Sequence, residues 1–172
     1  MLTLSLFRHA KSSWDDAAMK DLDRPLAERG RAAAPVMGAY LAKEGLLPDL
    51  VLSSPSVRTR ATCALAFSAF QSPPMILFED VLYLASLRTL LGRIRRAENA
   101  VRHLMVVGHN PGLHELALEL IGHAPKKPLA ELAAKLPTGG LVVLEFDSET
   151  WADAGPEKAS LARFVTPRML MR

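Results

Sequence analysis

The stretch His103-Leu-Met-Val-Val107, Gly108-His109-Asn110-Pro111-Gly112 and then Leu113 to Ile121 decides how this chain folds. The apolar run reads as a strand and the glycine- and proline-bearing pentapeptide as a turn. The spaced apolar residues behind it read as a helix. The same order recurs towards the N-terminus. Asp49–Ser53 (DLVLS) is a strand closed by Ser-Ser-Pro, and Pro55–Phe67 is a helix with Ser54 as N-cap and Pro55 at its first position. Leu2–Phe7, with Thr3 and Ser5 alternating against leucines, is the first strand. Leu26–Glu44 follows as a helix with Gly45 as C-cap, and Pro35 predicts a kink or a late start within it. Met75–Phe78, Leu141–Phe146 and Leu161–Thr166 complete the expected strands. Leu87, Leu90, Leu91 and Ile94 mark an amphipathic helix, and Leu129–Leu136 a short one. About six strands alternating with helices predict an α/β three-layer sandwich around a mostly parallel sheet, with residues 1–172 as one domain.

Composition narrows the function classes. Hydrophobic residues make up 49% of the 172 and charged residues 23%, the balance of an ordinary globular protein. No internal repeat, low-complexity tract or linker interrupts it. Cys63 is the single cysteine, which excludes an intramolecular disulfide and a cysteine zinc cage. The opening Met1–Phe7 is too short for a signal h-region and lacks a basic n-region. No apolar run approaches the ~18 residues of a membrane span, so no membrane partner is expected and the reducing cytoplasm is the expected compartment. The net charge is +3 and the pI about 9.2. Basic residues are scattered apart from Arg93-Ile-Arg95-Arg96 and Lys126-Lys127, and aromatics are only 6%, which argues against nucleic acid and for a mild preference for anionic ligands.

The loops between strand and helix open at the carboxyl edge of a parallel sheet, where ligands bind. Three strands end there in reactive residues: Arg8-His9, Ser53-Ser-Pro-Ser-Val-Arg58, and Gly108-His109-Asn-Pro-Gly112. Two arginines and two histidines beside three helix N-termini form an anion site, with phosphate the first candidate. Arg58 stands in the first turn of its helix, where a cation costs about 0.3–1 kcal/mol against the dipole. A bound dianion reverses that sign; a solvated surface arginine is the equally open reading. For His9 and His109 the alternatives are surface or capping histidines and metal ligands. The five histidines, at 9, 103, 109, 114 and 123, form no HxxxH or HExxH pair, so nothing in the sequence calls for a metal or a cofactor. GxxxxGK[ST], GxGxxG and GxSxG motifs are absent. Cys63 falls in a helical pattern with Ala64 and Phe67 and reads as packing.

Together these segments resemble a known family. Leu6-Phe-Arg8-His9-Ala10 is similar to the RHG signature of the histidine phosphatase (phosphoglycerate mutase-like) superfamily. Ser53-Ser-Pro-Ser-Val-Arg58-Thr-Arg-Ala-Thr62 resembles its second arginine motif, and Val106-Val-Gly-His109-Asn-Pro-Gly112 its second histidine motif. Arg8-His-Ala-Lys-Ser-Ser-Trp14 and Asp23-Arg-Pro-Leu-Ala-Glu-Arg-Gly30 are similar to the small SixA-like branch of phosphohistidine phosphatases. The likeness continues to Pro137-Thr-Gly-Gly140 and the strand after it.

The resemblance implies a phosphoglycerate mutase-like fold and a metal-independent phosphatase. His9 would be the nucleophile, Arg8 and Arg58 the holders of the phosphate oxygens, and His109 a further donor. Asn110 and Arg24 join the expected substrate contacts, although Arg24 could equally pair with Asp21 or Asp23. Two departures matter. The motif's glycine is Ala10, which keeps the carbonyl that could set the His9 tautomer unless the site needs a positive φ. Larger relatives protonate the leaving alcohol from an acid after the third strand, where this chain has Glu79-Asp80; Asp80 is the expected general acid, or else a cap for the next segment. The chain is short and lacks long insertions, so the expected substrate is phosphohistidine on a protein partner. A small phosphomonoester, and a phosphate- or phosphopeptide-binding module without turnover, are the alternatives.

Overall fold

The computed structural model describes residues 1–172. Seven strands form one sheet: β1 (Leu2–Arg8), β2 (Leu50–Ser53), β3 (Met75–Phe78), β4 (His103–Gly108), β5 (Ile121–His123), β6 (Leu141–Phe146) and β7 (Ala159–Val165). Their order is β3-β2-β4-β1-β6-β7-β5. β1 lies at the centre, parallel to β4 and antiparallel to β6, and β2 runs parallel to both β4 and β3. β6 and β7 pair antiparallel, while β5 is parallel to β7. The sheet is therefore mostly parallel, as the strand–helix alternation predicts, with an antiparallel turn where β6 and β7 follow one another.

Alternation along the strands builds two cores. Leu2, Leu4, Leu6, Leu104, Val106, Val142 and Leu144 face one side, where 26 buried residues cluster. Phe7, Val51, Met105, Val107, Leu141 and Val143 face the other, with a cluster of 12. Period-two geometry demands this split when both faces of a sheet are covered. Helices α3 (Leu87–Arg95) and α4 (Gly112–Leu120), with Leu132 from α5 (Lys126–Ala134), cover the larger face. Helices α1 (Glu28–Lys43) and α2 (Val57–Phe67) and the short α6 (Pro167–Leu170) cover the smaller.

Several boundaries move for identifiable reasons. Helix α2 starts at Val57 with Ser56 as its cap, not Ser54. The Ser54 hydroxyl is engaged elsewhere, 2.7 Å from His109 Nε2, so the second serine takes the capping role. Helix α1 starts at Glu28 and passes Pro35 without interruption, so the late start is not observed. Residue Leu26 instead forms a bridge with Ser12 that fastens the loop after β1. Gly45, at φ +66°, ends α1 in a Schellman motif: Leu46 N–H donates to Leu41 O at 2.8 Å and Gly45 N–H to Ala42 O at 3.3 Å. Strand β5 has no periodic signal in its three residues. It exists because Ile121–His123 meets the edge of β7.

The first turn of α4 is set by close packing. A Cβ on Gly112 would stand 1.9 Å from the Ala85 carbonyl oxygen, so only glycine lets the helix start this near the 80s loop.

Candidate active site

The carboxyl ends of β1, β2 and β4 meet as their parallel register requires, with Arg8 opposite Gly108 and Ser53 opposite Val107. His9 follows directly. Its N–H donates to Gly108 O at 3.2 Å, and its carbonyl accepts from Gly139 N–H at 2.8 Å. Gly139 sits at φ +74°, a turn conformation natural to glycine.

The His9 ring is locked. Nδ1 lies 2.8 Å from the Ala10 carbonyl, which can only accept, so Nδ1 carries the proton and Nε2 keeps its lone pair. Nε2 has no hydrogen-bond partner and is not occluded. The Ala10 amide donates to Thr62 Oγ1 at 3.0 Å, and that hydroxyl donates to Arg58 O at 2.7 Å, so α2 braces the carbonyl that orients the nucleophile. Ala10 is not among the positive-φ residues, so alanine in place of glycine costs nothing in backbone strain.

His9 lines a cavity of about 190 Å³ with Arg8, Arg24, Arg58, His109 and Asn110. Lys11, Ser12, Trp14, Leu84 and Thr138 complete its wall. The His9 and His109 ring centroids are 5.3 Å apart. Four cations and no carboxylate face the cavity, the charge pattern of an anion site. Arg8 Nη1 donates to Leu136 O at 2.9 Å, while its Nε is buried without a protein acceptor. Asn110 Nδ2 donates to the same carbonyl at 2.9 Å.

Arg58 is buried, 3% exposed, so it is not a solvated surface arginine. Its partner is Asp21: Nη1 donates to the backbone oxygen at 2.7 Å and Nη2 to Oδ2 at 2.9 Å. Arg58 Nη2 also approaches His109 Nδ1 at 3.3 Å, which leaves His109 Nε2–H to donate to Ser54. Arg24 is likewise buried and donates to Asp21 Oδ1 at 3.0 Å and to the Ser13 carbonyl at 3.0 Å. Of its two expected partners Asp21 is the one used, and Arg24 lines the cavity as well. Its guanidinium stacks 3.2 Å from the centroid of Trp14, which stands exposed at the mouth. Tyr83 donates its hydroxyl to Asp21 Oδ2.

Asp80 is not brought to this cavity. It is exposed at the start of a short 3-10 turn and makes no side-chain hydrogen bond. Glu79 is held by Arg93, whose Nε and Nη2 donate to its two oxygens at 2.7 and 3.0 Å. The short 3-10 turn after β3 leaves Asp80 in solvent, while Tyr83 and Leu84, three and four residues further on, do reach the site. Asp21, Tyr83, Ser54, Lys11, Ser12, Leu84 and Thr138 are among the members that the sequence does not assign to the site. Only Asp21, a carboxylate three residues before Arg24, carries a local signal.

Electrostatics follow from burial. Desolvation holds His9 far below the ordinary histidine range, to about 3; the Ala10 carbonyl opposes this, and His109, Arg58 and Arg8 add to it. His109 is lowered to about 4, first by burial and then by Arg58. Burial pushes the Asp21 carboxyl up, but hydrogen bonds from Tyr83, Arg58 and Arg24 outweigh it and hold the group at about 2. Both histidines are thus neutral near pH 7, as a nucleophile must be. Both bind a proton more weakly in the folded than in the unfolded chain, so stability falls as pH drops through the unfolded value near 6.5. At pH 5 each site should cost about 2 kcal/mol relative to pH 7. Urea midpoints at the two pH values should show it, and His109→Gln should shrink that difference, the remainder belonging to His9 and to His103, which burial also lowers. An unchanged difference would refute the assignment of neutral, buried histidines.

The fold and this cluster define a class: an α/β protein that presents a tautomer-locked histidine to a small cavity lined by arginines. Comparison with known proteins carries this to a family. Residues 4–81 match the model of the histidine phosphatase superfamily (branch 1). An uncharacterized Mycobacterium tuberculosis protein is 36% identical over 94% of this chain and 99% of its own. A crystal structure from Agrobacterium tumefaciens, provisionally assigned as the phosphohistidine phosphatase SixA, aligns at TM-score 0.82. Its identity is 33%, covering 96% of this chain and 98% of that one. A Nakamurella multipartitia structure with the same provisional assignment aligns at TM-score 0.82 and 29% identity, over 96% of each chain. The chain belongs to the histidine phosphatase superfamily, on its SixA-like side, and the class of activity is that of a phosphatase. No group of three or more His, Cys, Asp or Glu is placed to hold a metal ion, and no helix is long and apolar enough to cross a membrane.

Proposed function

We propose that this protein is a metal-independent phosphatase that removes phosphate from phosphohistidine in a protein partner, through a phosphoryl-enzyme on His9. The observation that carries the reading is His9 itself, with Nδ1 tied to the Ala10 carbonyl and Nε2 free at a cavity lined by Arg8, Arg58 and His109. Nε2 attacks phosphorus in line; the new P–N bond forms as the bond to the leaving imidazole breaks. Arginine forks and the His109 ring offset charge on the equatorial oxygens. Water then attacks the phosphoryl-His9, returning the histidine and releasing orthophosphate.

The substrate class is supported by what does not face the cavity. No carboxylate lines it, since Asp80 is exposed outside and Glu79 is bound to Arg93. An alkyl phosphate monoester needs an acid to protonate its alkoxide, whereas a protonated phosphohistidine leaves as a neutral imidazole. The small-phosphomonoester reading therefore lacks its proton donor.

The test is phosphate release from a phosphohistidine-bearing protein and from an aryl phosphate, side by side with a chelator present. We expect kcat/KM at least ten-fold higher for the phosphohistidine. Preference for the ester would move the assignment to a small-molecule phosphatase. Release from neither, with phosphate still bound, would leave a binding module.

A further inference from the structure

Beside the catalytic cavity runs a second and larger depression, about 1040 Å³, which shares Arg8, Lys11 and Thr138 with it. Its rim is basic: Arg29 from α1, Lys135 just after α5 and Arg168 from α6 join Lys11. All four are exposed, and none enters an ion pair. The one acid of the lining, Glu131, faces Lys127 at 4.0 Å. Apolar side chains line it too: buried Ala33, half-buried Phe164 and exposed Met169.

The charge distribution is the informative quantity. The lining holds five cations and one anion, a net +4, whereas the whole chain carries +3, so the rest of the molecule is net −1. The excess positive charge of this protein is thus gathered in one depression that opens onto the reacting histidine. Charges spaced within a Debye length of roughly 8 Å reinforce one another and steer anionic partners to the site. Unpaired side chains keep that field free for a ligand instead of spending it on internal partners.

We infer that this depression docks an acidic segment of the protein that carries the phosphohistidine, an inference that rests on the proposed phosphatase activity and names its partner's chemistry. Apolar side chains set among charged ones are what a protein partner can bury. The five cations come from β1, the loop after it, α1, the end of α5 and α6, which suits an extended acidic surface. The depression is also more than five times the volume of the catalytic cavity, which alone suffices for a phosphoryl group. Docking there brings the phosphorylated residue to Arg8 and Lys11 at the boundary between the two spaces. Selectivity among phosphoproteins then comes from the acidity of the flanking surface, and it weakens with salt.

The experiment uses a fluorescent twelve-residue peptide rich in glutamate, a glutamine-substituted control, and the triple variant Arg29→Glu, Lys135→Glu, Arg168→Glu. We expect the acidic peptide to bind wild type at least ten-fold tighter than the control. That preference should disappear in the variant and on raising salt. Turnover of a small aryl phosphate should stay within about twofold of wild type, since none of the three residues lines the catalytic cavity. Equal binding of the two peptides, or undiminished binding by the variant, would overturn the inference. So would displacement of the peptide by inorganic pyrophosphate at micromolar concentration, which would assign the depression to small polyanions. The peptide bears no phosphate, so the two readings fail differently. Loss of the phosphatase reading appears as absent turnover with peptide binding intact; loss of the docking surface appears as turnover without charge-dependent binding.

Discussion

His9→Ala is expected to abolish turnover, by at least about 10³-fold in kcat, while leaving the fold in place. The ring supplies the atom that forms the covalent bond, and no neighbour can replace it. His109 is the nearest candidate, with its ring centroid 5.3 Å away, but its Nδ1 is directed at Arg58 and its Nε2 at Ser54. Loss of the imidazole removes one hydrogen bond, to the Ala10 carbonyl. It also removes a buried group that burial keeps from taking up a proton, so the variant should lose less stability than wild type on acidification. Rapid acid-free quenching with a labelled substrate should trap phosphoryl-enzyme in wild type and none in the variant. Labelled protein in His9→Ala, or retained turnover, would place the nucleophile elsewhere.

The second large effect is expected at Arg58. Arg58→Lys keeps the charge but loses the planar fork, and kcat/KM should fall by about 10²–10³. In the structure both Nη atoms already contact Asp21, and Nη2 approaches His109. Lysine can place one ammonium near these groups but cannot hold the same carboxylate, ring and phosphate oxygen together. The loss should fall mainly on kcat if Arg58 acts on charge that develops in the transition state. Circular dichroism and orthophosphate binding separate this from misfolding: Arg58 is buried and tied to another segment, so a fold-breaking variant would lose both together. Activity within about threefold of wild type would show that the Arg58–Asp21 pair is a structural tether only.

Asp21 explains why two arginines can be buried beside one cavity. It accepts from Arg58, Arg24 and Tyr83, which bind the loop after β1 to α2 and to the 80s segment. Buried guanidiniums without partners would be costly. Here one carboxylate offsets both without facing the cavity, so the anion still meets net positive charge.

The α/β alternation, the central strands, most helices, and the convergence of Arg8, His9, Arg58 and His109 were determined by local sequence. Period-two and period-3.6 apolar spacing encodes which side of each element is buried, and a parallel sheet sends consecutive strand ends to one edge. Tertiary structure decided what has no local code. The Asp21 partnership joins residues 37 positions apart in the chain. Strand β5 forms only because β7 is there to pair with it. The N-cap of α2 passed from Ser54 to Ser56 because His109, 55 positions away, takes the first hydroxyl. The place of Asp80 was settled by the short 3-10 turn after β3, which leaves this acid in solvent while Tyr83 and Leu84 just beyond it meet the site. The basic depression is decided the same way, since Arg29, Lys135 and Arg168 become neighbours only when α1, α5 and α6 pack beside the end of β1. Short-range periodicity specifies which face of an element is buried, but charge pairing and edge position depend on distances between residues far apart in sequence, which packing alone sets.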